Sequence, residues 1–148
     1  MAILSEERIR LQATATDKLD AIRQAGELLV SSGCVAPDYV KGMLAREETM
    51  STYLGNGVSI PHGQFDDIAL INATGISVLQ LPAGVEWEEG EMAHLIIGIA
   101  AKSDVHIGIL SNLAEAIEEE ETAEMLAQTT DPQVILEYLN REPVLEED

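Results

Sequence analysis

Cysteine, aromatic side chains and positive charge are all scarce in this chain of 148 residues. Cys34 is the single cysteine, which excludes an internal disulfide and a cysteine-built metal site and fits a reducing compartment. Aromatics make up 3%, so the core has to be assembled from Leu, Ile, Val, Ala and Met. Eight Lys and Arg stand against 27 Asp and Glu, a formal charge of −19. A surface of that sign repels nucleic acid and anionic lipid and speeds encounter with a basic protein partner. The same acids would also serve as plain solubilising charge. The apolar runs are too short and too interrupted to cross a bilayer. The opening M-A-I-L-S-E-E has no basic segment followed by an apolar one, so no signal peptide is read. A soluble, cytoplasmic protein is expected. No glycine-rich nucleotide loop, Ser-His-Asp pattern or kinase signature occurs.

What is present is an ordinary globular share of hydrophobic residues, 46%, in a length that suits one domain spanning 1–148. Glu7 to Leu11 (E-R-I-R-L) alternates and reads as a short strand. Thr16 is a plausible cap for a helix running to about Ser31, with Leu19, Ile22, Ala25, Leu28 and Leu29 on one side and Gly33 as its stop. Pro37 suits the first turn of a second helix that reaches about Glu48 and turns Val40, Met43 and Leu44 inward. Val58 to Ile60 is strand-like. Thr74–Leu81 and His94–Ala100 are near-continuous apolar runs, the pattern of strands covered on both faces. Asp104 caps a third helix carrying Ile107, Leu110, Leu113, Ala114 and Ile117. A short helix begins near Thr122, and a last one runs from Pro132 to about Leu139. An acidic tail, about 141–148, is expected to be flexible. The alternation predicts an α/β fold: a central mixed sheet of about five strands, flanked by helices on both faces.

Three histidines could carry chemistry. His62 ends a strand-like run inside I-P-H-G, between the two residues that most strongly stop regular structure. Gly63 removes a side chain and would let another group approach the backbone. A neutral imidazole is a competent nucleophile toward phosphorus near neutral pH, yet P-H-G alone equally describes an ordinary turn. His106 falls in the first turn of the helix capped by Asp104. There the helix dipole and open N–H groups favour an anion and keep the ring neutral; the alternative is a solvated histidine. Arg46 is the arginine closest in sequence to His62 and offers planar bidentate contact to phosphate, unless it only pairs with Glu47 or Glu48 at a helix end. His94 opens an apolar strand and reads as structural. A metal site from the three histidines lacks any supporting spacing. Trp87 lies in the acidic stretch V-E-W-E-E-G, read as a loop, as a surface contact or a lid over the core. Cys34 reads as buried and inert, and Glu118–Glu121 as a solvated helix face. A chain that handles phosphate without a nucleotide site must receive it from another protein.

Two blocks give these residues a context. R-E-E-T-M-S-T-Y-L-G-N-G-V-S-I-P-H-G, from Arg46 to Gly63, resembles the active-site segment of enzyme IIA of the bacterial sugar phosphotransferase system, mannitol/fructose type. H-L-I-I-G-I-A-A-K-S-D-V-H-I-G-I-L-S-N-L-A, from His94 to Ala114, resembles the second block of the mannitol-specific members. The likeness extends from about Ala21 to Leu139. It implies that His62 is the phosphorylated residue, that His106 hydrogen-bonds the phosphoryl group without being phosphorylated, and that Arg46 stabilises it. It implies the phosphocarrier protein HPr as donor and a cysteine of enzyme IIB as acceptor, with no cofactor and no metal. It also leaves a second reading, a regulatory nitrogen-related IIA whose phosphorylation state controls its partners. Many mannitol transporters carry this domain fused to membrane and IIB domains, so a separate subunit and an excised domain both fit.

Overall fold

The computed structural model describes residues 4–101 and 118–139. The first helix, α1 (Lys18–Ser31), is capped by Asp17, whose side chain accepts from Asp20 N–H at 2.9 Å. Thr16, the expected cap, instead donates its own N–H to the Asp20 carboxylate at 3.0 Å. A carboxylate at the positive end of a helix outcompetes a hydroxyl. The C-terminus closes as anticipated. Gly33 takes φ +86, its N–H bonds Val30 O, and Cys34 N–H bonds Leu29 O, the paired pattern of a glycine-terminated helix. Pro37 has helical dihedrals at the entry to α2 (Asp38–Thr49). The buried stripe of α2 is Tyr39, Gly42, Met43 and Glu47, whereas Val40 and Leu44 are half-buried.

Five strands form one mixed sheet: β1 (Ile9–Arg10), β2 (Tyr53–Gly55), β3 (Val58–Ser59), β4 (Gly75–Glu88) and β5 (Glu91–Ala100), in the order β1-β4-β5-β3-β2. β1 runs parallel to β4 and β3 parallel to β5; the other two pairs are antiparallel. The first strand is shorter than expected because Glu6–Arg8 forms a 3-10 turn. That turn buries Arg8, whose Nε donates to Ile76 O at 2.9 Å. β2 and β3 are joined through Asn56-Gly57, both at positive φ, a loop that matches the twist of a tight hairpin.

The largest departure from the sequence reading is the β4–β5 hairpin. Its strands continue to Glu88 and start again at Glu91, with Val85 opposite Ala93 and Glu88 opposite Glu91, past an irregularity after Gln80. Trp87 is therefore in a strand rather than a loop. It is 2% exposed, and its indole N–H donates to the Glu47 carboxylate at 2.9 Å. The stretch alternates, Val85 and Trp87 inward, Glu86 and Glu88 outward, as a half-buried strand does. His94 lies three positions inside β5 rather than at its start.

Both faces of the sheet are covered. Ile76, Val78, Leu95, Ile97 and Ile99 pack with Leu126, Ile135 and Leu139 of α3 (Glu120–Gln128) and α4 (Pro132–Leu139). Leu79, Leu81, Val85, Ile96 and Ala100 pack with Ile22, Leu29, Tyr39 and Met43 of α1 and α2. This alternation along β4 and β5 is why both strands read as continuous apolar runs. α3 starts at Glu120, two residues before the expected Thr122. The helix expected behind Asp104 and the acidic tail lie outside the described residues.

Candidate active site

β3 runs alongside β5 with Val58 opposite Leu95 and Ser59 opposite Ile96. The chain keeps that course after regular pairing ends. Ile99 N–H donates to Pro61 O at 2.9 Å, and His62 bridges in parallel to Ile99. Pro61 has no N–H to extend the ladder. His62 is thus delivered, half-buried, to the carboxyl end of two parallel strands, where open α/β sheets present their binding groups.

His62 Nδ1 lies 2.8 Å from the carbonyl oxygen of Ile60. A carbonyl only accepts, so Nδ1 carries the proton, and the lone pair of the neutral ring resides on Nε2. The backbone has selected one tautomer and one nucleophilic nitrogen. Ile60 is itself held, its N–H donating to Thr52 O at 3.0 Å.

The turn after His62 is fixed by Tyr39, 3% exposed. Its O–H donates to Ile99 O at 2.8 Å, and its oxygen accepts from Gly63 N–H at 2.9 Å. Burial pushes this phenol up to about 12. The bond from Gly63 pulls the other way, and the Asp67 carboxylate adds to the rise. A Cβ at residue 63 would stand 2.6 and 2.8 Å from Tyr39 Cε1 and Cζ. The group that comes close to the Gly63 backbone, as the missing side chain allows, is the Tyr39 ring. Asp67 then accepts from Gln64 N–H at 2.8 Å and opens the 3-10 turn Phe65–Leu70.

Arg46 is in the last turn of α2, half-buried. Its Nη1 donates to Met50 O at 2.6 Å, and it pairs with no carboxylate among the described residues. Pairing to Glu47 or Glu48, the alternative for this arginine, does not occur: Glu47 turns into the core, and Glu48 forms no ion pair with it. Arg46 grips Met50 and Ile60 grips Thr52, so the arginine and the His62 strand hold one short segment between them. His106 lies outside the described residues.

His94 behaves as structural. Its Nδ1 is 3.2 and 3.3 Å from the carbonyls of Leu81 and Pro82, and its ring packs where a Cβ on Gly84 would stand 2.6 Å from Cε1. Cys34 is buried. Among the described residues no group of three or more His, Cys, Asp or Glu is placed to hold a metal. No described helix is long and apolar enough to cross a membrane. Glu118–Glu121 are exposed, with Glu120 and Glu121 in α3. Sequence reasoning missed Tyr39, Glu47 and Thr52. The available signal was the spacing of Tyr39, Met43 and Glu47, which puts all three on one face of a helix.

Comparison with known proteins adds context to this geometry. The multiphosphoryl transfer protein of Rhodobacter capsulatus is 49% identical over 94% of this chain, which spans 17% of that protein's length. The mannitol-specific phosphotransferase enzyme IIA component of Bacillus subtilis is 40% identical over 95% of this chain and 98% of its own. Enzyme IIA-Mtl of Escherichia coli, solved in complex with phosphorylated enzyme IIB-Mtl, superposes with a TM-score of 0.86 at 41% identity, covering 91% of this chain and 95% of that one. The family model for the phosphoenolpyruvate-dependent sugar phosphotransferase system, EIIA 2, matches residues 2–142. The chain therefore belongs to the EIIA 2 family of the phosphoenolpyruvate-dependent sugar phosphotransferase system.

Proposed function

We propose that this chain is a cytoplasmic, single-domain phosphoryl relay. His62 takes a phosphoryl group from the phosphohistidine of HPr and passes it to a cysteine of enzyme IIB, in the service of uptake and phosphorylation of a hexitol, mannitol first. The observation that carries the reading is the Nδ1–H bond from His62 to Ile60 O, in a chain of this family.

Nε2 of His62 attacks phosphorus in line. The phosphorus–nitrogen bond of the donor breaks, and its electron pair returns to the HPr imidazole. The phosphorylated His62 ring carries positive charge that the Ile60 carbonyl partly offsets through Nδ1–H. A thiolate of enzyme IIB then attacks the same phosphorus, and the electron pair of the Nε2–phosphorus bond returns to His62. Such transfers depend on positioning and charge stabilisation rather than on covalent help. Arg46 supplies positive charge to the equatorial oxygens, and His106 donates a hydrogen bond to them. The acidic surface suits a donor with a basic contact face. Identity at 40% over nearly the full length of a mannitol-specific IIA component favours transport over the nitrogen-related regulatory reading.

Intact-mass spectrometry after incubation with enzyme I, HPr and phosphoenolpyruvate, kept alkaline to preserve a phosphoramidate, tests the relay. One added phosphate, lost on acid treatment and absent from His62→Ala, is the expected result. Full labelling of His62→Ala would end the proposal. Supplying enzyme IIB and sugar separates relay from regulation, since a regulatory module leaves the sugar unphosphorylated.

A further inference from the structure

Glu47 is the one buried acid among the described residues. It is 4% exposed, and a carboxylate is costly to remove from water unless donors compensate. Donors surround it. Thr52 N–H lies 3.2 and 3.3 Å from its two oxygens, Thr52 Oγ1 donates at 2.6 Å, and Trp87 Nε1 donates at 2.9 Å. Lys18 Nζ stands 3.6 Å from Oε2. Contacts from α1, from β4 and from the segment leading into β2 thus converge on one side chain at the end of α2.

Two paths lead from this carboxylate to the proposed chemistry. Thr52, gripped at N–H and hydroxyl, presents its carbonyl to Ile60 N–H at 3.0 Å. The Ile60 carbonyl takes His62 Nδ1–H at 2.8 Å. The same grip sets Met50, two residues earlier, whose carbonyl holds Arg46 Nη1 at 2.6 Å. We infer that Glu47, with Trp87 and Thr52, is a positioning residue that sets both the His62 tautomer and the Arg46 guanidinium for phosphoryl transfer.

The inference rests on the relay reading, because it concerns the nucleophile that reading names. The Glu47→Gln side chain has nearly the same shape, but its amide nitrogen cannot accept from the N–H and O–H donors that face it. The segment then shifts, and both catalytic groups shift with it. Expected is a fall in kcat for His62 phosphorylation of about 10- to 100-fold, with KM for phospho-HPr held near the wild-type value because the docking surface is untouched. Nitrogen-15 NMR of the His62 ring should show one tautomer in the wild type and a mixture in Glu47→Gln. A purely structural role would lower the folded fraction without changing the rate per folded molecule or the tautomer.

Trp87→Phe removes one donor and keeps most of the ring, and it covers the case in which Glu47→Gln does not fold. It should change kcat and tautomer in the same direction by a smaller factor. Wild-type kcat and a single tautomer in every variant that folds would overturn the inference while leaving the relay intact. An unphosphorylated wild type would instead overturn the relay itself.

Discussion

Replacing Tyr39 with phenylalanine removes a single oxygen that two backbone groups share. Ile99 O loses its donor and Gly63 N–H loses its acceptor. A buried group stripped of its partner costs about 1–3 kcal/mol; Gly63 is only half-buried, so a total near 2 kcal/mol is expected. For a chain of this size each kcal/mol lowers Tm by roughly 2–4 °C, so calorimetry should find Tyr39→Phe melting about 4–8 °C below the wild type at pH 8. The pH dependence sharpens the test. The phenol stands at about 12 in the fold against the ordinary 10.0, mainly through burial. A group raised in this way contributes stability that is complete below pH 10 and is lost as pH rises through 12. The gap between wild type and Tyr39→Phe should therefore narrow from pH 10 to 12. An unchanged Tm with parallel pH profiles would refute the assigned hydrogen bonds.

Gly63→Ala places a methyl group against the Tyr39 ring. Because the hydroxyl anchors that ring, the variant should lose about 1–3 kcal/mol by overpacking in urea unfolding and accept phosphate more slowly; wild-type stability would mean that the ring yields. Asp17→Ala removes the cap of α1, distant in sequence from the site. It should cost about 1 kcal/mol by the same assay; because the loosened turn carries Lys18, 3.6 Å from Glu47, any slowing of phosphorylation should be smaller than in Glu47→Gln, and wild-type stability would contradict the assigned cap.

The parts of the fold that were legible in sequence are those where one periodicity dominates. The inward stripe of α1 from Ile22 to Leu29, the glycine stop at Gly33 and the apolar cores of β4 and β5 needed no tertiary knowledge; Leu19, expected in the same stripe, is instead 44% exposed in the first turn. The turn at His62 was legible because proline and glycine frame it. The outer half of the β4–β5 hairpin was not, since its solvent face is glutamate and its inward face is only Val85 and Trp87. Such a strand looks like an acidic loop until its partner is known. Glu47 was read as a possible surface partner for Arg46 because the donors that make its burial tolerable come from α1, β4 and Thr52. Asn56-Gly57, between the paired Tyr53 and Ser59, is a hairpin signal that the sequence carries on its own.

The bonds that shape the His62 turn are long in sequence. Tyr39 and Ile99 are 60 residues apart, and Glu47 and Trp87 are 40 apart. Each closes a large loop, and closure entropy has to be met before the bond forms. A chain that has formed only α1 and α2, or only the β4–β5 hairpin, has the histidine but not the turn that Tyr39 fixes between Gly63 and Ile99. Under the proposed relay, competence to accept a phosphoryl group is therefore expected only of a chain in which both distant bonds have closed.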